Sequence, residues 1–406
     1  MNKKSLKVNK SSIFFLLLML PYLEPLGFKE EILGTSIIDN IYTIVKLSVF
    51  ICLILYVIYK SRISKMFICQ AGWAVTLLFS TLLNNSGFDG FKMYAGPALS
   101  PMAVILIFDI FRDKLKICVN ILSKLFVVYC LINFLTFINQ YYLVYHGNMR
   151  DGAGMYFFSI DNRFIFYFLP SIACVLFSSY VNVHRTMTWV MFFLMIHAEF
   201  MLVTLWSAGA MIVMAFVILW ICIIYHFINT QIFNIRNYFI FIMGFNLLMY
   251  ITALCKPMNI WFRGLAESLF HKGSNLNDRF VMWQNAAGYL AESPFFGEGI
   301  KPIEYNYLRF NVGHAHNLFM DVTFKGGFLS LFFFFGVLYF ALKPLYKYRN
   351  TVLSKQISFL VLMGFVLSLA DTYSDALFYI LLCLSYHLEV FLDKSDRKQQ
   401  SAVDSC

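Results

Sequence analysis

Residues 207–227 read SAGAMIVMAFVILWICIIYHF and hold no Asp, Glu, Lys or Arg. An apolar run of this length predicts a helix that crosses a bilayer, because about 20 residues span the hydrocarbon core. The whole chain shares this bias: of its 406 residues, 60% are hydrophobic and 13% are charged. Soluble domains carry about 25% charged residues. The composition therefore excludes an ordinary soluble domain, a disordered chain, a coiled coil and a collagen-like chain.

Twelve apolar runs predict an all-α polytopic membrane protein with about twelve transmembrane helices, forming a single integral membrane domain over residues 1–406. These runs cover 13–20, 38–59, 66–83, 94–111, 117–138, 164–181, 186–204, 207–227, 238–254, 317–342, 356–370 and 376–392. Most of the 32 Lys and Arg residues fall in the tails and in the loops on the side of the N-terminus. By the positive-inside rule both termini are then cytoplasmic. This bias accounts for the net charge of +10, so we expect no nucleic-acid partner.

Charged residues in or beside the apolar runs include Glu24, Lys46, Lys124, Glu199 and Lys325. Charges in lipid are unfavourable, so we expect these side chains to face protein or a cavity, where they could line a lipid groove or a transport pathway. For Lys46 and Lys124, pairing or snorkelling near the interface is an equally good interpretation. The nine cysteines form no Cys-x-x-Cys pair, and we expect them to be free thiols buried in helices.

The predicted topology leaves two sizeable outer loops, at 139–163 and at 256–316, and we expect any chemistry in the longer one. Within it, Asn277 and Asp278 are good helix caps, and apolar residues then recur at helical spacing until Ser293-Pro294. Arg279 lies off that apolar stripe and is either a solvated arginine or a cation facing a cavity. An earlier amphipathic piece, 261–270, carries Arg263 and is expected to lie along the membrane surface.

Gly297 and Gly299 follow this helix in the sequence Phe-Phe-Gly-Glu-Gly. A lone Gly-x-Gly favours a simple turn, whereas the alternative is a turn whose backbone amides approach a phosphate.

His314 and His316 stand at the start of the next apolar run. A metal site would need further ligands, and Asp321 is the nearest, so we expect no metal. Two roles remain open: helix capping or loop packing, and a general base or hydrogen-bond donor to an anionic substrate.

Three short motifs in this loop resemble the O-antigen polymerase and O-antigen ligase family. They are NDRFVMW at 277–283, SPFFGEG at 293–299 and HAHNL at 314–318, followed by Gly326-Gly327. The resemblance covers about residues 200–345, with the motifs in the order typical of the family, and it agrees with the predicted topology of the whole chain.

The resemblance implies a GT-C-like fold and a metal-independent, inverting glycosyl transfer without cofactor. The donor it implies is an undecaprenyl-pyrophosphate-linked oligosaccharide, used on the outer face of the bacterial cytoplasmic (inner) membrane. By motif, Arg279 matches the arginine that holds the pyrophosphate and His316 the catalytic histidine, while Asn317 would orient that histidine or the glycan. The expected partners are this lipid-linked glycan, membrane lipid, and the flippase and chain-length regulators of the same pathway.

One position departs from the family pattern. Many relatives carry a basic residue after the serine at 207, and here that residue is Ala208. Arg163, proposed on its chemistry alone, Arg263 or Arg309 could supply the missing phosphate contact. The remaining candidate substrate-binding residues are His314, Asn317, Gly297 and Gly299.

The favoured function is therefore a polysaccharide polymerase that joins lipid-linked repeat units. A ligase that transfers finished glycan to another acceptor would use the same donor site. Two interpretations from other classes are a lipid-linked oligosaccharide flippase and a structural scaffold. A flippase typically carries internal repeats and broken helices at the bilayer midplane and has no need of the loop motifs.

Overall fold

A computed structural model describes ten stretches of the chain and four isolated loop positions or pairs. The described residues are 9–25, 36–60, 63–84, 87–138, 156–158, 163–205, 207–255, 260–261, 264, 268, 273–301, 315–369, 372 and 376–393.

The described residues form helices and no strand, which confirms the all-α class. The helices are α1 (Lys10–Met19), α2 (Ser36–Lys60), α3 (Lys65–Leu83), α4 (Gly87–Ile110), α5 (Leu115–Ile138), α6 (Phe164–Val183), α7 (Trp189–Thr204), α8 (Ala208–Cys222), α9 (Ile235–Leu254), α10 (Gly273–Glu292), α11 (Leu318–Lys347), α12 (Val352–Ser368), α13 (Ala376–Tyr386) and α14 (Leu388–Phe391). Short 3₁₀ turns occupy Leu20–Leu23, Arg112–Lys114 and Ile224–His226.

Each of the twelve predicted apolar runs coincides with a helix. Six of them are long and apolar enough to cross a membrane: Asn40–Lys60, Lys65–Leu83, Arg112–Ile138, Phe164–Val183, Ile235–Thr252 and Leu318–Lys347. The other apolar stretches that could form spans have 10–17 residues within the described part of the chain, among them Gly96–Ile110 of α4, fewer than the roughly 20 that an untilted span needs. The chain is thus a membrane protein, while the count of twelve spans and the single-domain division stay predictions.

The bundle is built around α6, which is buried on almost all sides, and around the long contact between α3 and α11. Peripheral helices such as α2 and α7 turn rows of large apolar side chains outward, among them Leu55, Ile58 and Phe193. In water such surfaces would be unfavourable, whereas in lipid they are the normal exterior. The cysteines among the described residues are free thiols, as predicted. Four of them are buried, Cys118, Cys130, Cys174 and Cys383, whereas Cys52 is exposed, which contradicts its expected burial.

Helix α11 is broken at the end of its first third, at Gly326-Gly327. Gly327 has φ 65° and ψ −170°, a conformation that essentially only glycine adopts. The segment Pro294–Gly299 lies against the break and pairs with the backbone groups that the break frees. Four hydrogen bonds join them: Glu298 N to Phe324 O (2.8 Å), Gly299 N to Lys325 O (2.9 Å), Phe328 N to Pro294 O (2.8 Å) and Leu329 N to Phe295 O (3.3 Å).

The end of α3 closes the same junction from the other side. The Ser80 hydroxyl donates to the carbonyl of Lys325 (2.9 Å), and the Asn84 amide donates to the carbonyl of Gly297 (3.0 Å). The amide of Ile300 donates to the hydroxyl of Thr81 (3.1 Å). The break therefore leaves the polar backbone paired, which a membrane interior requires.

The charged residues within the apolar runs mostly pair. Glu24 and Lys46 form an ion pair of 2.5 Å, which agrees with the pairing interpretation for Lys46. Lys325 pairs with Asp321, one turn away on α11. Lys124 is exposed on α5, which fits snorkelling and contradicts the expectation that it faces protein, and Glu199 is half-buried on α7.

The predicted start of the loop helix was wrong. The helix was expected to begin after a cap at Asn277 or Asp278, but α10 begins at Gly273 and ends, as predicted, before Ser293. The apolar spacing of its later turns extends back to Leu276, which accounts for the extra turn. Of the amphipathic piece at 261–270, only positions 261, 264 and 268 lie within the described residues, and Trp261 there is exposed. Most of the 139–163 loop lies outside them.

We predict that Gly327→Ala strongly destabilises the protein, by more than the 1–3 kcal/mol typical of a strained backbone conformation alone. A Cβ at this position would lie 2.2 Å from the carbonyl carbon and oxygen of Phe295, so the paired segment would also have to move. The measurement is thermal unfolding in detergent. Gly244→Ala in α9 is the matched control, since a Cβ there meets nothing within 4 Å; equal melting temperatures for the two variants would contradict the prediction.

Candidate active site

The loop helix α10 is fastened to the start of α11 by one tryptophan. The indole N–H of Trp283 donates to the carbonyl of Ala315 at 2.9 Å, and the side chain is 2% exposed. Ala315 directly precedes His316, so this hydrogen bond holds the histidine turn against α10. A buried indole N–H needs such a partner, which makes the contact an efficient anchor.

A small apolar core surrounds this anchor where α9, α10 and α11 meet. It consists of Met249, Met282, Trp283, Ala286, Ala315, Met320 and Phe324, with Phe245, Tyr250 and Tyr289 packed against it. This core is separate from the main core of the bundle. The site therefore has a packed core of its own beside the main core of the bundle.

His316 itself has a left-handed backbone, with φ 47°. Few residues other than glycine adopt this region, and such strain is concentrated at functional sites. The side chain is half-buried. The turn thus presents an imidazole that is neither solvated freely nor closed off in the core, as a general base requires.

Asn317 follows His316, and both its side-chain oxygen and its side-chain amide are hydrogen-bonded within the protein. Its side-chain oxygen caps α11 by accepting from the amide of Met320 (3.1 Å). Its side-chain amide donates to Asn246 Oδ1 (3.0 Å) and to the carbonyl of Leu369 (3.5 Å). Asn317 has no exposed surface and its bonds go to α9, α11 and Leu369, so its role toward the histidine or the glycan stays a prediction.

Arg279 lies in α10, one turn before Trp283. Residues four apart share one face of a helix, about 6 Å apart, so the backbone of Arg279 stands next to the anchor that holds His316. The side chain of Arg279 lies outside the described part of the structure. The two residues predicted to be catalytic are thus carried by two elements that a direct hydrogen bond joins.

Gly297 and Gly299 lie at the break of α11. Both have positive φ, at 67° and 72°, and the amides of residues 297, 298 and 299 all donate to carbonyls of the protein. A Cβ on Gly297 would lie 2.4 Å from the carbonyl oxygen of Phe324. These observations favour the turn interpretation, in which the glycines allow close backbone packing, and their assignment to substrate stays a prediction.

The other predicted binding residues are placed as follows. Arg163 lies at the start of α6, as expected, and α6 packs against α5, α7, α12 and α13. Helix α10, in contrast, packs against α9 and α11. Arg263, Arg309 and His314 lie outside the described residues.

Sequence reasoning missed the polar residues beneath the histidine turn. Asn246 of α9 bonds to Asn317, and the Tyr250 hydroxyl is hydrogen-bonded to Thr323 near Asp321. Asp321 was considered only as a metal ligand, but it is 5% exposed and its Oδ2 lies 2.5 Å from Lys325 Nζ. Among the residues described, no group of three His, Cys, Asp or Glu side chains is arranged to hold a metal. A buried Asn in an apolar run was the signal available in the sequence.

Comparison with known families gives a match over this region. Residues 190–335 match the family model described as O-Antigen ligase. This part of the chain is similar to the O-antigen polymerase and ligase family. The members of that family are glycosyltransferase-like enzymes. The matched range contains α10, the break of α11 and the His316 turn, whereas Arg163 precedes it. A search of curated proteins gave no match.

We predict that Trp283→Phe lowers the free energy of unfolding by about 1 kcal/mol more than Trp220→Phe does, because only the former loses a hydrogen bond. Trp220 is a suitable control: it is buried, it stacks on Phe359, and its indole N–H has no hydrogen-bond partner within the described residues. Thermal or denaturant unfolding in detergent measures the difference. Identical losses in the two variants would mean that the bond to Ala315 does not anchor the turn.

We predict that Lys325→Met destabilises the protein by up to about 3 kcal/mol, because it leaves the Asp321 carboxylate buried without its cation. The double variant Asp321→Asn/Lys325→Met should recover most of this loss. Lys343→Met is the control, since Lys343 is an exposed lysine further along the same helix, and its effect should be within about 0.5 kcal/mol. Unfolding of the wild type, the single variants Asp321→Asn and Lys325→Met and the double variant under one condition tests the cycle; additive effects of the two single changes would refute the pairing.

Proposed function

We propose that the protein is a polysaccharide polymerase that joins undecaprenyl-pyrophosphate-linked repeat units of an O-antigen, capsule or exopolysaccharide. The observation that carries the proposal is the hydrogen bond from Trp283 to Ala315. It binds the arginine-bearing helix to the histidine turn, so that a cation and a base can serve one reaction. The family match over the same residues supports this assignment.

The two residue types divide the chemistry between them. A polyprenyl pyrophosphate leaves as a stabilised anion, so the transfer needs no protonation of the leaving group but gains from a fixed cation beside it. Arg279 would supply that cation with a permanent charge and two-pronged hydrogen bonds. The attacking sugar hydroxyl must lose a proton, and the imidazole of His316 would accept it.

The arrangement also suits inversion at the anomeric carbon. In an inverting transfer the hydroxyl attacks from the face opposite the leaving group, so the base and the cation must flank the sugar from two sides. Arg279 lies on α10 and His316 on the neighbouring turn before α11, so the cation and the base are carried by two separate elements. Both roles use protein side chains alone, which makes the proposed reaction metal-independent.

We further propose that the site faces the outer side of the bacterial cytoplasmic membrane and that both termini are cytoplasmic. The distribution of basic residues along the chain supports this orientation. The donor would enter from the lipid, with its polyprenyl tail among the helices. Such a reaction needs two partners. One is a flippase that delivers the repeat unit, and the other is a chain-length regulator.

A ligase is the second candidate, favoured by the description of the matching family model as O-Antigen ligase. It would use the same donor, cation and base but would pass the finished glycan to a different acceptor. Acceptor choice depends on the shape of a pocket and on a few polar contacts. Product analysis therefore separates the two candidates.

The test is a reaction of the purified full-length protein with a synthetic undecaprenyl-pyrophosphate repeat unit, with and without a chelator. We expect a ladder of longer lipid-linked glycans that the chelator leaves unchanged. Arg279→Ala and His316→Ala should each lower the rate by at least about 100-fold, the scale for losing a group that stabilises or activates in the transition state. Arg279→Lys should keep part of the activity, since it retains the charge but not the paired donors.

Arg236→Ala and His226→Ala are the matched controls, because both side chains are exposed. Arg236 lies in the first turn of α9, almost three turns before Asn246, and His226 precedes that helix. They should react like the wild type. Single transfer to an added acceptor without a ladder would favour the ligase. Lipid movement across vesicles with neither product would favour a flippase, and full activity of both alanine variants would refute the proposed site.

A further inference from the structure

A cavity of about 460 Å³ lies far from the candidate active site, between α1, α2 and the end of α4. Its walls are mostly apolar and include Phe14, Leu18, Leu53, Tyr56 and Phe111, and Lys114 is also among its lining residues. None of these residues belongs to the matched family region at 190–335. The cavity therefore needs an explanation of its own.

The cavity opens sideways, between two helices at the periphery of the bundle. Phe14 and Tyr56 are about half exposed, while Leu53 and Phe111 are buried and form the back of the groove. Their neighbours on α1 and α2, such as Leu17 and Leu55, face outward as lipid-exposed residues do. In a membrane this opening meets acyl chains and not water, so an elongated apolar chain is the ligand that fits it.

One end of the groove is basic. Lys114 is held by the hydroxyl of Ser11, with Nζ to Oγ at 2.7 Å. Lys10 and Arg112 are exposed at the same turn-bearing end, and Lys116 follows within one turn. The one acidic residue among the cavity's lining residues is Asp113. The local charge is therefore positive, and it stands where the headgroup of a lipid in the groove would lie.

We propose that this groove binds an anionic phospholipid, with one acyl chain between α1 and α2 and the phosphate at Lys114. The apolar walls account for the chain and the basic edge for the charge of the headgroup. The site lies at the end of the bundle where α2 ends and α3 begins, which also carries Lys60 and Lys65. It is independent of the proposed glycosyl transfer, since it shares no residue with it.

The test is native mass spectrometry of the full-length protein with phosphatidylglycerol or phosphatidylcholine added at equal concentration. We expect phosphatidylglycerol to be retained preferentially. Lys114→Gln should weaken its binding about fivefold, the usual effect of one lysine near a lipid surface. Lys343→Gln is the control, because Lys343 is exposed on α11 and does not line the groove; it should leave binding unchanged.

A second pair of variants tests the apolar part. Leu18→Trp fills the groove and should abolish preferential retention, whereas Leu17→Trp, on the neighbouring exposed position of α1, should not. The melting temperature of each variant is measured to check that it is folded. Equal retention of the two phospholipids, or equal effects of the two tryptophan variants, would overturn the proposal. Displacement of phosphatidylglycerol by an equal amount of undecaprenyl phosphate would also overturn it, and would assign the groove to the carrier lipid.

Discussion

The pairing of backbone groups at the break of α11 is the constraint on which the site depends. In lipid, an unpaired N–H or C=O is unfavourable by several kcal/mol, so a transmembrane helix can be interrupted only where other protein groups replace its lost bonds. Here the segment Pro294–Gly299 and the end of α3 provide those groups. The loop segment is therefore a structural part of the membrane bundle, and it holds the C-terminal end of α10 in place.

This constraint links the fold to the chemistry. The segment Pro294–Gly299, which pairs with the backbone groups at the break, directly follows α10. Helix α10 is in turn hydrogen-bonded to the histidine turn through Trp283. A helix of mixed polarity would otherwise be weakly held at a membrane surface. Because it is fixed at its C-terminal end by the junction and along its side by Trp283, its first turns, where Arg279 lies, have a defined position relative to α11.

The sequence allowed part of this to be predicted. Apolar runs located the helices well, since hydrophobicity over about 20 residues is a strong signal. The start of α10 was misplaced because Asn277 and Asp278 are good caps but the apolar spacing continues behind them. The break at Gly326-Gly327 could not be foreseen, since two glycines in an apolar run also suit a continuous helix. Asn246 and Asn317 are far apart in the chain, and only the packing of α9 on α11 brings them together.

The two buried ion pairs differ in a way that bears on how the chain enters the membrane. A lone charge at the centre of an inserting helix is unfavourable by about 2.5–3.5 kcal/mol. Asp321 and Lys325 lie one turn apart on the same helix, so α11 carries its own neutralisation and can leave the translocon as a single unit. Glu24 and Lys46 lie on either side of the link between α1 and α2. Their charges cancel only when these two helices meet, which favours insertion of α1 and α2 together as a hairpin.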